Sequence, residues 1–152
     1  MHHISDYRDR QDFGPQIADR VWNAWWKGAG LQLADVAHHL TEMVDERPLP
    51  TALVAHDDNG YAGSVFLIDS DLEERPQLRP WIAALWVEEE KRSLGVAKAL
   101  VREATSAAAR LGHDEVFVCC HRDLEPFYAT QDWRILERGV GPHDLSVLVW
   151  RS

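Results

Sequence analysis

Apolar residues recur at helical intervals through the first third of the chain. Ile17, Val21, Trp22, Trp25 and Trp26 fall on one stripe of a helix that Lys27-Gly28-Ala29-Gly30 brings to an end. Leu33, Val36, Ala37, Leu40, Met43 and Val44 form the face of a second helix; Asp35, His38, His39 and Glu42 lie off that face, and Pro48 and Pro50 close it. The period then changes. Thr51 to His56 and Tyr61 to Ile68 read as strands, and Asp57-Asp58-Asn59-Gly60 between them signals a hairpin. Asp69 to Pro80 is polar, charged and proline-containing, which predicts a loop. Trp81 to Val87 is almost wholly apolar and suits a strand covered on both faces. Gly95 to Leu111 carries Ala97, Leu100, Val101, Ala104, Ala108 and Leu111 at helical spacing, with Gly112 as C-terminal cap. Glu115 to Cys120 is a further apolar strand. Leu124 to Thr130 reads as a short helix capped by Asp123, and Arg134 to Arg138 with Leu145 to Trp150 as a last hairpin around Gly139 to Asp144.

The order is therefore helix, helix, hairpin, strand, helix, strand, short helix, hairpin. Strand 81–87, helix 95–111 and strand 115–120 form a strand-helix-strand unit, and a helical crossover makes its two strands parallel. The hairpins on either side are antiparallel. The expected fold class is α/β of the α+β type, a mixed and mostly antiparallel sheet flanked by helices. No repeat, low-complexity tract or linker divides the sequence, which predicts one domain over residues 1–152.

Composition narrows the function. The chain has 16 Lys+Arg against 25 Asp+Glu, a formal charge of −9, and this argues against a partner held by phosphate contacts, such as nucleic acid. No apolar run approaches the roughly 20 residues of a membrane span, and Met1-His2-His3-Ile4-Ser5-Asp6 lacks the basic flank and apolar stretch of a signal peptide. A cytoplasmic protein without a membrane partner is expected. Cys119 and Cys120 are adjacent and point to opposite faces of an extended segment, so they read as two reduced thiols. Histidines are scattered without zinc spacing, and no metal is expected. The acid excess is local. Residues 57–90 carry 2 basic and 9 acidic side chains, whereas residues 91–152 carry 9 and 8. Such acids are either solvated loop charges or a negative field for a cationic partner.

The segment Val87-Glu88-Glu89-Glu90-Lys91-Arg92-Ser93-Leu94-Gly95-Val96-Ala97-Lys98-Ala99-Leu100 joins a buried strand to a helix whose first turn is lined by small residues. The first amides of that helix have no internal partner and sit at the positive end of its dipole, where a phosphate fits and Arg92 adds charge. A capped surface helix satisfies the same spacing. The segment is neither a P-loop, lacking Gly-Lys-Ser/Thr, nor a G-x-G-x-x-G dinucleotide fingerprint.

This segment resembles the pyrophosphate-binding motif of the GCN5-related N-acetyltransferase (GNAT) superfamily, V-x-P-x-x-R-G-x-G-[IV]-[GA]-x-x-L. Arg92, Gly95 and Ala97 match; Glu89 stands where proline is frequent, and Ser93-Leu94 where Gly-Gln or Gly-Arg is common. Leu49 to Ala55, Gly63-Ser64-Val65, Pro80 to Val87 and Phe127 to Trp133 follow the family's order and spacing, so the resemblance runs from about Leu49 to Trp150. It implies an acyl-CoA N-acyltransferase fold in which strand 81–87 splays from strand 115–120. It further implies acetyl-CoA as cosubstrate, held by Leu85, Trp86 and Val87 along the pantetheine and by Arg92, Ser93, Leu94, Gly95, Val96, Ala97 and Lys98 at the pyrophosphate. Tyr128 of the Phe127-Tyr128 pair is implied as the general acid that protonates the leaving thiolate, and a phenol with a pKa near ~10 stays protonated for that purpose.

The implied reaction is acetyl transfer to a primary amine in a ternary complex; a sensor that binds acyl-CoA without efficient transfer is the alternative. Some family members carry a basic carboxylate on the fourth strand. Trp81 to Val87 has none, which leaves Glu88, Asp69 or a water. The family places the acceptor beside the first two helices, which here supply Trp22, Trp25, Trp26, His38 and His39. Trp26, Asp69 and Glu88 are the candidate acceptor contacts, suited to a cationic small-molecule or peptide amine. Homodimers are common in the family. A nucleophilic Cys120 beside His121 is disfavoured, because adjacent residues cannot aim at one another.

Overall fold

The structure is a computed structural model describing residues 2–152. Its sheet is organised by which strands have both faces covered. Strand β2 (Thr51–Asp57) alternates cleanly: Ala52 and Val54 join one apolar cluster while Leu53 and Ala55 join another on the opposite face. Strand β3 (Gly60–Ile68) divides in the same way, with Phe66 on the first side and Val65 and Leu67 on the second. This two-sided burial is why these strands read as near-continuous apolar runs. Helix α1 (Gly14–Val21) and helix α2 (Leu33–Glu42) pack Ile17, Val21, Val36 and Leu40 on the first face. Helix α3 (Val96–Arg110) packs Leu100, Val101, Ala104 and Ala108 on the second. Leu100 is wholly buried, and burying one such side chain contributes about 1.5–3 kcal/mol.

The remaining strands are β1 (His3–Asp6), β4 (Trp81–Val87), β5 (Glu115–Cys120), β6 (Arg134–Val140) and β7 (Leu145–Arg151), with helix α4 (Glu125–Ala129) between β5 and β6. The seven strands run in the order β1-β2-β3-β4-β5-β7-β6. Every neighbouring pair is antiparallel except β4 and β5, which are parallel as the crossover through α3 requires. The mixed, mostly antiparallel sheet with one parallel pair is thus the expected fold class.

Details differ from the periodicity. β1 was not expected; its four residues alternate too weakly to announce a strand, and only pairing of His3 to Asp6 with Leu53 to His56 defines it. The first helix changes pitch. From Trp22 to Trp26 it is a π turn, closed by Lys27 N–H donating to the Trp22 carbonyl at 2.8 Å. Leu33 and Ala37 of α2 remain exposed, because the buried arc of that helix extends only over Val36 and Leu40 to Met43. Asp123 does not cap α4. It sits in a 3₁₀ turn over Arg122–Leu124, and α4 begins at Glu125-Pro126 without a side-chain cap, the proline ring supplying the helical φ. Gly112, at φ 91°, ends α3 as expected.

β4 contains the irregularity that shapes the centre of the sheet. Phe66 pairs with Ala83 and Ser64 with Trp86, so Val65 alone opposes Ala84 and Leu85. This is a bulge, and Ala84 holds φ 52°, at a cost of about 1–2 kcal/mol for a residue with a Cβ. Directly beside it, β3 approaches so closely that a Cβ on Gly63 would lie 2.6 Å from the Trp86 carbonyl oxygen. Replacing Gly63 with Ala must push β3 from β4, and overpacking of this kind costs about 1–3 kcal/mol. Denaturant unfolding of Gly63→Ala is expected to show a loss of that order with an unchanged m-value.

Candidate active site

β4 and β5 pair at one position only, Trp81 with Phe117, supported by Phe117 N–H donating to the Pro80 carbonyl at 2.9 Å. Beyond that point the strands part. The opening becomes a cleft of about 1080 Å³, lined on one wall by Ala83 to Val87 and on the other by Val118, Cys119 and Cys120, with Tyr128 of α4 beside them. A volume at the top of the roughly 300–1,000 Å³ range of small-molecule sites leaves space for two reactants. Backbone groups face the gap. Glu88 N–H donates to the Ala62 carbonyl, so the alternation of an antiparallel ladder turns the Val87 amide and carbonyl away from β3 and toward β5.

At one end the cleft meets a second cavity of about 390 Å³ lined by Lys91, Arg92, Ser93, Gly95, Val96, Ala97 and Lys98. Ser93 and Gly95 both have positive φ, 68° and 82°, which curls the loop so that successive amides converge. The first helical bond of α3 is Ala99 N–H to the Gly95 carbonyl at 3.1 Å. The amides of residues 93–98 have no acceptor among the described residues. That is a donor-rich cradle at the positive end of a 15-residue helix. Arg92 lines both cavities; its Nε donates to the Val87 carbonyl at 3.0 Å, and its guanidinium lies 4.9 Å from the Trp86 ring centre. The Leu94 side chain points outward and is 66% exposed, so only its amide belongs to the cradle.

The opposite end is aromatic and acidic. Trp25 stands edge-on to Trp86 at 6.5 Å and Trp26 edge-on to His39 at 5.0 Å. All four line the cleft with Glu42, Asp69, Asp71 and Glu73. The π turn brings Trp25 and Trp26 there together. Trp22 and His38 do not line the cleft: the Trp22 indole donates to the Leu31 carbonyl at 2.8 Å, and His38 lies 3.8 Å from Glu42 on the exposed side of α2.

Glu88 does not line the cleft either. It takes a bidentate bond from Arg20 at 2.7 and 2.8 Å and another from the Trp86 indole at 2.9 Å, with its side chain 12% exposed. The guanidinium holds its carboxyl below the ordinary glutamate range, which makes Glu88 a structural anion rather than a proton acceptor. Asp57 is committed in the same way to Lys91 at 2.6 Å. Of the acidic stretch 57–90, the charges left facing the cleft are Asp69, Asp71 and Glu73.

Tyr128 is 4% exposed and packed edge-on between Phe127 and Trp133 at 5.0 and 5.4 Å. Its hydroxyl has no partner among the described residues, yet no side-chain nitrogen or oxygen there is both sealed from solvent and unpartnered. The hydroxyl therefore opens onto the cleft. Burial pushes its pKa up, so it keeps its proton throughout the physiological range.

Sequence reasoning missed Asp71, whose Oδ2 accepts from Cys119 Sγ across the cleft floor at 3.3 Å. It also missed a serine–histidine contact on the far side of the sheet, Ser5 Oγ to His56 Nε2 at 2.8 Å. That contact has no base. Arg10 lies on His56 Nδ1 at 3.4 Å, so the ring proton belongs on Nε2 and points at the serine. Among the described residues no cluster of His, Cys, Asp and Glu could hold a metal ion, and no helix is long and apolar enough to cross a membrane.

The chain matches the sequence profile of the acetyltransferase (GNAT) family over residues 16–131, and it belongs to that family. A comparison with curated proteins by sequence returned no match. Among solved structures it is similar to an aminoglycoside 6'-N-acetyltransferase complexed with coenzyme A, with a TM-score of 0.77, 14% identity and 98% and 96% of the two chains covered. It is also similar to a GNAT-family acetyltransferase from Streptococcus pneumoniae, at TM-score 0.74, 11% identity and 100% of both chains. An acetyltransferase from Streptococcus agalactiae aligns at TM-score 0.73 and 13% identity over 99% and 98%. At these identities the likeness establishes the fold.

Helix α4, which carries Tyr128, is pinned by Glu125. Its carboxylate accepts from Arg138 at 2.9 and 3.1 Å and from Ser146, and these partners hold its pKa at about 2. The stability from this lowered pKa is present above the ordinary carboxylate value and is lost as pH falls toward 2. Glu125→Gln is expected to lower the melting temperature at pH 7 and to lower it progressively less as the pH is taken through 4 toward 2.

Proposed function

We propose that this GNAT acetyltransferase moves the acetyl group of acetyl-CoA to a primary amine of a cationic small molecule, by direct attack in a ternary complex. The observation that carries the reading is the continuity of the cleft. A cradle of unpartnered amides with Arg92 lies at one end, an acidic aromatic chamber at the other, and exposed β4 backbone with Tyr128 between them.

The residues fit coenzyme A. The amides of 93–98 and Arg92 hold the pyrophosphate, with Lys98 beside them on the first turn of α3. The wall of the gap formed by Leu85, Trp86 and Val87 lies along pantetheine, with the Val87 amide turned toward it. In the reaction the Val87 amide stabilises the oxyanion that forms from the thioester carbonyl oxygen. Tyr128 gives its proton to the sulfur as the carbon–sulfur bond breaks. At the acceptor end, Trp26 and Trp25 supply faces for a cation, and Asp69 and Glu73 supply charge. The aminoglycoside acetyltransferases among the structural neighbours agree with an acceptor that carries several amines.

Thiol release from acetyl-CoA with a panel of amines tests the reading; binding of acetyl-CoA with no release above background for any amine would identify a sensor instead. Acetyl-CoA at 100 times its Kd is expected to stabilise the fold by about 2.7 kcal/mol, seen as a thermal shift. Arg92→Ala should demand a higher concentration for the same shift. Tyr128→Phe is expected to lower kcat by about 10²-fold or more while leaving acetyl-CoA affinity within twofold or so, read from steady-state and binding data.

A further inference from the structure

The acceptor of direct transfer must lose a proton, because an alkylamine with a pKa near ~10 is an ammonium at neutral pH and has no lone pair to attack with. β4 carries no carboxylate, and Glu88 is tied to Arg20 outside the cleft. The loop between β3 and β4 brings Asp71 into the cleft instead. Asp71 is an exposed residue of that loop that lines the cleft, and its Oδ2 accepts from Cys119 Sγ at 3.3 Å. Cys119 stands on β5 two residues past Phe117, where β5 has already left β4, so the hydrogen bond holds the carboxylate against the wall of the cleft that both residues line. Tyr128 lines the same space. Asp69 and Glu73 also line the cleft, but no side-chain partner among the described residues fixes either.

We propose that Asp71 is the group that takes the proton from the acceptor amine, with Cys119 as its positioning residue. The assignment rests on the transferase reading above. An ammonium N–H passes its proton to the Asp71 carboxylate, and the freed lone pair forms the bond to the thioester carbon. As the adduct collapses, the carbon–sulfur bond breaks and its electron pair leaves on sulfur, which takes the Tyr128 proton. The nitrogen of the adduct gives up its second proton, which restores Tyr128, and Asp71 discharges the first to water. Acetyl-CoA and an ammonium thus yield an amide, coenzyme A thiol and one proton.

The surroundings suit the role. The titratable and charged groups that line the cleft with Asp71 are Cys119 and Cys120 on β5, His121 just beyond them, His39 and Glu42 on α2, Asp69 and Glu73 on its own loop, Arg92 before α3 and Tyr128 on α4. Desolvation by the cleft walls raises the Asp71 pKa to about 6, and the Cys119 hydrogen bond pulls in the opposite direction. The carboxylate is therefore ionised at neutral pH yet more basic than a solvated one, as a general base should be. Cys119 is kept a thiol, first by burial and then by the charge of Asp71, so it remains a donor over the working range.

The experiment compares wild type, Asp71→Asn and Cys119→Ala with one primary alkylamine and one arylamine, the latter already neutral at pH 7. In the wild type, kcat/KM for the alkylamine should rise with pH through an acid limb near 6. In Asp71→Asn that limb should vanish and kcat for the alkylamine should fall about 10²-fold or more, with a much smaller loss for the arylamine and unchanged acetyl-CoA affinity. In Cys119→Ala the limb should move to higher pH, since the bond that lowers the Asp71 pKa is gone. A held kcat with a raised KM in Asp71→Asn would make Asp71 a docking charge only and overturn the proposal, as would a surviving limb. An unmoved limb in Cys119→Ala removes the positioning role. A wild type that binds acetyl-CoA but acetylates no amine overturns the transferase reading, and this assignment with it.

Discussion

The architecture depends on a pairing that stops. β4 and β5 share one bridge, at Trp81 and Phe117, and then separate, although both strands continue for several residues with their backbone groups facing the gap. Unpaired backbone polar groups inside a protein cost free energy unless something satisfies them. Here the space they face is open to solvent and to ligand. The bulge at Ala84, the approach of Gly63 and the crossover through α3 act together on this one feature. The bulge turns β4, the glycine lets β3 follow it, and α3 leaves the end of β4 with its amino terminus at the mouth of the gap.

Side-chain pairs connect the two ends of the cleft. Arg20 on α1 binds Glu88 at the end of β4, Glu88 binds the Trp86 indole, and Trp86 stacks under Arg92 at the cradle. Helix α1 and the loop before α3 are thereby linked through one largely buried carboxylate. Lys91, bound to Asp57 at the end of β2, ties the same loop to a second strand. The acid excess of residues 57–90 thus has a division of labour. Asp57 and Glu88 are tied up in ion pairs, and Asp69, Asp71 and Glu73 line the cleft.

Much of the fold was legible in the sequence, for a physical reason. Strands buried on both faces read as unbroken apolar runs, and the helices bury arcs wide enough to show a period. The cradle was legible as well, since a helix start with Gly95 and Ala97 after a buried strand is a local arrangement. The illegible parts depend on contacts distant in the chain. β1 exists through its pairing with β2. Asp123 had the chemistry of a cap, but the 3₁₀ turn and Pro126 placed the helix start beyond its reach. Glu88 looked available until Arg20, 68 residues away, was seen to hold it. Asp71 and Asp69 are indistinguishable as residues in an acidic loop, and only the thiol of Cys119, 48 residues on, separates them.

The π turn at Trp22 to Trp26 amounts to one residue more than an α-helix would need to cover the same rise. The extra residue falls at the end of α1, after Ile17 and Val21 have made their buried contacts and before Gly28 releases the chain. The surplus therefore falls where Trp22 and Trp26 pack only at the margin of that cluster, and Trp25 stands outside it. The aromatic end of the cleft is thus open to change by insertion or deletion of one residue at this turn, while the sheet, the cradle and the parting strands stay as they are.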